Sequence, residues 1–222
     1  MSPPSTVAIV EPHYDDAWLS LGGTILSQPE IGFFIVSVSR SPENQQHRTR
    51  ALESELPNVR TADLALEDLG WNRREVGRRR KEAGVADWRA LFDLDNGLTA
   101  GELEDRVVAA MPSSIEVVCL PLGLVHPMHD VLSRLALDRP TVRYFEYPYG
   151  YFTGWEAALT ERTDGRPETR VDIGGVIAKK CALFDALYPE QRGVLSISRC
   201  TTRLDAMREE RVYGETGSWL SP

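Results

Sequence analysis

The chain has 222 residues, 42% of them hydrophobic and 26% charged, with 33 acidic against 25 basic side chains and a net charge of −8. That length buries a core without a disulfide or metal staple, and that composition excludes collagen-like, coiled-coil and wholly disordered chains. The acidic balance opposes a general role on nucleic acid or anionic membrane. No apolar run approaches the roughly 20 residues of a membrane span, and Met1-Ser-Pro-Pro-Ser lacks the basic region that opens a signal peptide. Cys119, Cys181 and Cys200 lie far apart with no C-x-x-C pair, so free thiols in a reducing, cytoplasmic compartment are expected.

Thr6–Val10 is short, β-branched and unalternating, as a strand buried on both faces should be. The turn Glu11-Pro12-His13-Tyr14 leads into a helix from Asp15 to Ser27. Its Gly22-Gly23 pair costs helix stability and predicts close packing or a helix end. A second buried strand covers 33–38, and the polar stretch 40–60 reads as an exposed, partly helical excursion. Helices are expected over 61–69 and 72–83, and another from Thr99, which has capping-box spacing to Glu102. Within it Leu103, Val107 and Met111 form a stripe facing the core. Residues 115–120 read as a third strand, 130–138 as a helix and 141–147 as a fourth strand. The helix expected over 174–188 carries Ile177, Cys181, Phe184 and Leu187 at helical spacing. Strand and helix patterns alternate throughout, which predicts one α/β domain over residues 1–222 with a mainly parallel sheet.

His13 follows the end of the first strand, and His126 and His129 follow the third; His47 lies in polar, loop-like sequence. Open α/β sheets bind ligands in the crevice outside the carboxyl ends of their strands. His13 and Asp16 are three residues apart, so a turn opening into a helix places both on one side, with Asp15 beside them. His126 and His129 repeat the spacing. A His/Asp/His set with an open position suits a catalytic zinc, and a neighbouring unligated carboxylate can take a proton from its water. The bland alternative is that the histidines cap strands and the aspartates cap a helix N-terminus. Either cluster alone fits that alternative; the two together, at matching topological positions, favour metal.

Pro12-His-Tyr-Asp-Asp-Ala-Trp-Leu-Ser-Leu-Gly-Gly23 and Pro121-Leu-Gly-Leu-Val-His-Pro-Met-His129 resemble the P-H-x-D-D and H-x-x-H segments of the PIG-L/LmbE-like zinc-dependent N-deacetylases. Leu91 to Leu98, Tyr144-Phe-Glu-Tyr-Pro-Tyr149 and Lys180…Tyr188-Pro-Glu-Gln191 are similar to further family segments in the same order, so the resemblance spans nearly the whole chain. It implies a Rossmann-like three-layer fold and one zinc per chain held by His13, Asp16 and His129. It further implies Asp15 as general base, His126 as oxyanion stabiliser or proton donor to the leaving amine, and Asp95 as a contact to substrate hydroxyls. The implied reaction is removal of an N-acyl, in this family N-acetyl, group from a sugar-like or glycosylated small molecule, with no nucleic-acid partner. Alternatives are an amidase acting on another small amide, such as a thiol conjugate, and a non-catalytic metal- or sugar-binding relative.

Two departures stand out. Met128 replaces the family's aspartate before the last histidine, which lowers rate or metal affinity unless Asp130 or another carboxylate substitutes. An aspartate restored there is expected to recover activity if the pocket behind it is polar and to cost stability if it is apolar. Leu124 stands where some members carry a tyrosine, leaving Tyr149 or Tyr151 as the available phenols. The basic run Arg73, Arg74, Arg78, Arg79 and Arg80 reads as a solvated helix face, with a phosphate contact as the alternative.

Overall fold

The computed structural model describes residues 6–40, 51–189, 191, 203–216 and 220. Among these, seven strands form one sheet: β1 (Thr6–Glu11), β2 (Gly32–Ser39), β3 (Val59–Leu66), β4 (Val117–Pro121), β5 (Thr141–Tyr144), β6 (Glu168–Asp172) and β7 (Glu209–Tyr213). Their order is β3-β2-β1-β4-β5-β7-β6. The first five are parallel, and β7 runs antiparallel to both β5 and β6. The helices are α1 (Asp16–Ser27), α2 (Arg73–Glu82), α3 (Trp88–Asp95), α4 (Glu102–Ala110), α5 (Pro127–Ser133), α6 (Glu156–Thr163) and α7 (Ile177–Leu187). No helix among the described residues is long and apolar enough to cross a membrane.

Successive side chains of a strand point to opposite faces, and β1 feeds two cores in this way. Val7 and Ile9 pack with Trp18 and Leu21 of α1 and with Phe184 and Leu187 of α7. Ala8 and Val10 pack on the other side with Val76, Phe92, Leu103 and Val131 of α2 to α5. The three-layer α/β arrangement with a mainly parallel sheet is therefore present.

Helix α1 is seated deeply, and its glycines explain how. A Cβ on Gly22 would meet the Trp18 ring at 2.9 Å, and one on Gly23 would meet Ile173 at 2.5 Å and Glu210 Oε1 at 3.0 Å. Glu210 of β7 accepts from the backbone N–H groups of Gly23 and Thr24 at 2.9 and 2.7 Å. It also accepts from Lys180 Nζ of α7 at 2.6 Å, in an ion pair with no solvent exposure. The expected close packing at Gly22-Gly23 is borne out, with a buried carboxylate as its partner.

Several expectations need correction. Residues 61–69 are not helical, because 59–66 form β3, at the sheet's border. The stretch 40–60 is helical in part, at 51–55, as expected, but it is not simply exposed: Leu52 and Leu56 are core residues, and 59–60 begin β3. The helix expected over 130–138 is α5, beginning earlier at Pro127, and the fourth strand stops at Tyr144. Strands β6 and β7 were not anticipated. Segment 41–50, with His47, and Cys200 lie outside the described residues. Cys119 and Cys181 are free thiols, as expected.

Candidate metal centre

The sheet order reverses at β1: strands β2 and β3 follow on one side, β4 and β5 on the other. This switch point leaves a crevice at the carboxyl ends of β1 and β4. The His13 turn follows β1 and the His126–His129 segment follows β4, so the two clusters meet. The His13 ring centroid lies 4.7 Å from that of His126 and 5.7 Å from that of His129. Gly123 and Val125 take positive φ angles of 85° and 22° in the loop between. At Gly123 a Cβ would strike Ser133 at 2.4 Å.

Asp16 Oδ2 is the point of convergence. It accepts from the His13 backbone N–H at 3.0 Å, lies 3.1 Å from His13 Nδ1 and 3.3 Å from His129 Nε2. His13, Asp16 and His129 offer ligand atoms within 4.8 Å of one another. The opposite nitrogens are held by carboxylates. His129 Nδ1 pairs with buried Glu146, whose other oxygen accepts from Leu124 N–H at 2.8 Å. His13 Nε2 lies 3.5 Å from Asp68 Oδ2. A carboxylate on the outer nitrogen fixes a histidine's tautomer and turns the inner lone pair toward a metal. His129 Nε2 is buried without a hydrogen-bond partner, which is costly unless a cation takes that lone pair. The donor set therefore fits a divalent metal of the zinc type.

His13, Asp68 and His126 form a second possible group. It is the poorer one, because His126 Nδ1 accepts from the Met128 backbone N–H at 3.1 Å, capping α5. A neutral ring held this way carries its proton on Nε2 and offers no lone pair there. The capping alternative thus holds for His126. It fails for Asp15, which stands at the N-cap of α1 with no side-chain capping bond.

Protonation follows from burial and charge. Burial, then the Asp16 charge, pushes the Asp15 carboxyl up to about 7. Burial opposes charge on His129, but Asp16 and Glu146 outweigh it and raise the ring to about 9. His13 is likewise raised against its burial, by Asp16 and Asp68. Burial, then the two other histidines, pushes His126 down to about 3. The carboxylates that favour positive charge on His13 and His129 would equally hold a cation between them, while burial keeps the capped ring neutral.

A cavity of about 170 Å³ opens beside Asp15 and Asp16, lined also by His13, Tyr14, Leu19, Pro148, Tyr149 and Gln191. Tyr149 sets its ring edge-on to His129 at 4.9 Å, whereas Tyr151 packs against Phe145 and Tyr147. Of the two phenols considered, Tyr149 is the one at the site. Asp95 is not among the lining residues, and its carboxylate pairs with Arg79. Asp130 does not replace the missing aspartate: it pairs with Arg134 and Arg162. Met128 points its fully buried thioether into the core cluster that contains Leu66, Leu69 and Val131. Sequence reasoning missed Asp68 altogether and gave Glu146 no role.

No family model matches this chain, and no curated protein matches it significantly. Solved structures do. A deacetylase of the teicoplanin biosynthesis pathway superposes with a TM-score of 0.63 at 14% identity, covering 94% of this chain and 96% of that one. The A40926 pseudoaglycone deacetylase gives 0.54 at 13% identity over 96% and 97% of the two chains. A zinc-inhibited form of a teicoplanin deacetylase gives 0.53 at 14% identity over 94% and 97%. The chain has the α/β fold of these deacetylases.

Proposed function

We propose that this chain is a zinc-dependent amide hydrolase, an N-deacetylase acting on a sugar-like or glycosylated small molecule, within one domain over residues 1–222. One observation carries the reading. Two crevice histidines turn their inner nitrogens onto Asp16, their outer nitrogens meet carboxylates, and Asp15 stands unligated beside them. The fold shared with the teicoplanin-pathway and A40926 pseudoaglycone deacetylases supports the substrate class.

His13, Asp16 and His129 would hold the ion, one per chain. Zinc bound there supplies Lewis acidity toward an amide carbonyl and acidifies water. Asp15, with its carboxyl raised to about 7, takes a proton from the attacking water and returns it to the departing amine; a base poised near neutrality suits both steps. His126, held by the Met128 N–H, presents Nε2–H to the carbonyl oxygen as negative charge develops. Its capped Nδ1 makes it a hydrogen-bond donor rather than the acid. The edge of Tyr149 covers His129 and closes one wall.

Metal analysis of purified protein, paired with amine release from a panel of N-acetylated amino sugars, tests this. About one zinc per chain, lost in His13→Ala and His129→Ala, and amine release from at least one sugar are expected. Full metal content in both variants would overturn the ligand assignment. Metal without amine release from any substrate would overturn the reaction.

A further inference from the structure

Arg73 opens α2 and is exposed. Its Nη1 donates to the carbonyl oxygen of Val125 at 2.8 Å, and Val125 directly precedes His126. Standard bond lengths place that nitrogen within about 7 Å of the His126 Cα. The guanidinium carbon lies 5.8 Å from the ring centroid of Trp88 and 5.6 Å from that of Trp155. Trp155 ends a segment that starts at Tyr149, whose ring touches His129 at 4.9 Å and Phe152 at 5.7 Å. Arg73 therefore joins the aromatic wall 149–155 to the loop that carries His126, at the mouth of the crevice.

Its charge meets ring faces there and no carboxylate. Arg40, Arg78, Arg79 and Arg89 each reach a carboxylate; Arg73 reaches none among the described residues. One hydrogen bond leaves most of a guanidinium's five donors open. The two indole rings flank the guanidinium, which reduces the side-chain freedom to be lost on binding. An oriented, unpaired guanidinium edge matches the two oxygens of a carboxylate or phosphate. The centre itself is rich in carboxylates, so an anionic molecule approaching it needs a fixed cation at the entrance.

We propose that Arg73 forms an anion subsite at this mouth, which takes a carboxylate or phosphate on the non-reacting part of the substrate. That the anion belongs to an acylated sugar rests on the amide-hydrolase reading above; the anion site itself does not. The probes are N-acetylglucosamine, its 6-phosphate, and 2-acetamido-2-deoxyglucuronate. Binding is followed by tryptophan fluorescence, and amine release is followed separately. The wild type should favour one or both anionic sugars over the neutral one on the order of 10- to 100-fold, the range for a charge-assisted hydrogen bond; comparing phosphate with uronate identifies the source. Arg73→Met, which keeps the stem over the rings, should bring that ratio to about one, and Arg73→Lys should keep part of it. Equal binding of neutral and anionic sugars by the wild type overturns the inference. So does an Arg73→Met variant that weakens all three sugars alike, since that marks a staple of the rim. Anion-selective binding through Arg73 with no amine released would leave the subsite standing and remove the hydrolase reading.

Discussion

Met128→Asp restores a residue that the family resemblance leads one to expect, and the structure predicts that it damages the protein. Met128 has no solvent exposure and packs among Leu66, Leu69, Leu120 and Val131. Neither ring offers a new carboxylate a donor on that side, since the outer nitrogen of His129 is already taken by Glu146 and His126 Nδ1 accepts from the Met128 N–H. A buried aspartate there would take up a proton rather than hold an unpaired charge. Even the neutral acid costs about 1–3 kcal/mol without a partner. Loss of the thioether adds about 2–4 kcal/mol of packing and cavity cost. The sum is roughly 3–7 kcal/mol, which is comparable to the whole stability of many domains and corresponds to about 6–28 °C in Tm for a chain of this size. Urea and thermal unfolding of the zinc-loaded variant measure this directly, with Met128→Leu as the volume-matched control expected to lose less than about 1.5 kcal/mol. An aspartate variant as stable as the wild type, and more active, would refute the apolar placement of this side chain.

The remaining predictions concern the centre. Asp15→Asn should keep its zinc and lose about 10²- to 10⁴-fold in turnover; zinc loss, measured by metal analysis, would make Asp15 a ligand instead. Glu146→Gln leaves one amide oxygen for two N–H donors, Leu124 N and His129 Nδ1. Competition with a chelating dye should therefore show zinc binding weakened about 10- to 100-fold, and unchanged affinity would mean the carboxylate does not orient His129. The metal-free protein should lose stability as pH rises from about 6.5 to 9. His129 has a folded value near 9, raised above its ordinary 6.5, so its contribution is complete below 6.5 and gone above 9. The ceiling is about 3 kcal/mol, and His13 acts in the same direction. Urea titrations at the two pH values, with and without zinc, should show the loss only in the metal-free form; a flat metal-free profile would contradict it.

Much of this was legible in the sequence, for physical reasons that also mark where legibility ended. β1, β2 and β4 lie inside the sheet, buried on both faces, and so appear as unbroken apolar runs. β3 borders the sheet with Val59 and Leu66 as its only buried residues, so its polar, charged interior resembled a helix. β6, at the opposite border, has only Val171 buried for the same reason, and β7, though inside the sheet, hides its burial because one of its buried residues is the charged Glu210. His13, Asp15, Asp16, His126 and His129 were visible because each cluster is contiguous in sequence. Asp68 and Glu146 act on rings far along the chain, and only the meeting of strand ends brings them there. Had 59–66 been read as a strand, Asp68, two residues beyond it, would have stood out as an acid at a crevice-facing end.

The hold of Glu210 on α1 has a consequence for the order in which the molecule is made. Gly23 and Thr24 close onto a carboxylate 187 and 186 residues away in sequence, and bringing together ends so distant in sequence is entropically unfavourable and slow. Until that carboxylate has left the ribosome, Lys180 has no counter-charge in a position with no solvent exposure, a state worse than the paired one by about 3–5 kcal/mol. The helix that begins with Asp16 therefore gains this anchor only after Glu210 has been synthesised, 186 residues after Thr24. A nascent chain displays His13 and Asp16 long before the carboxylate that anchors their helix has been made.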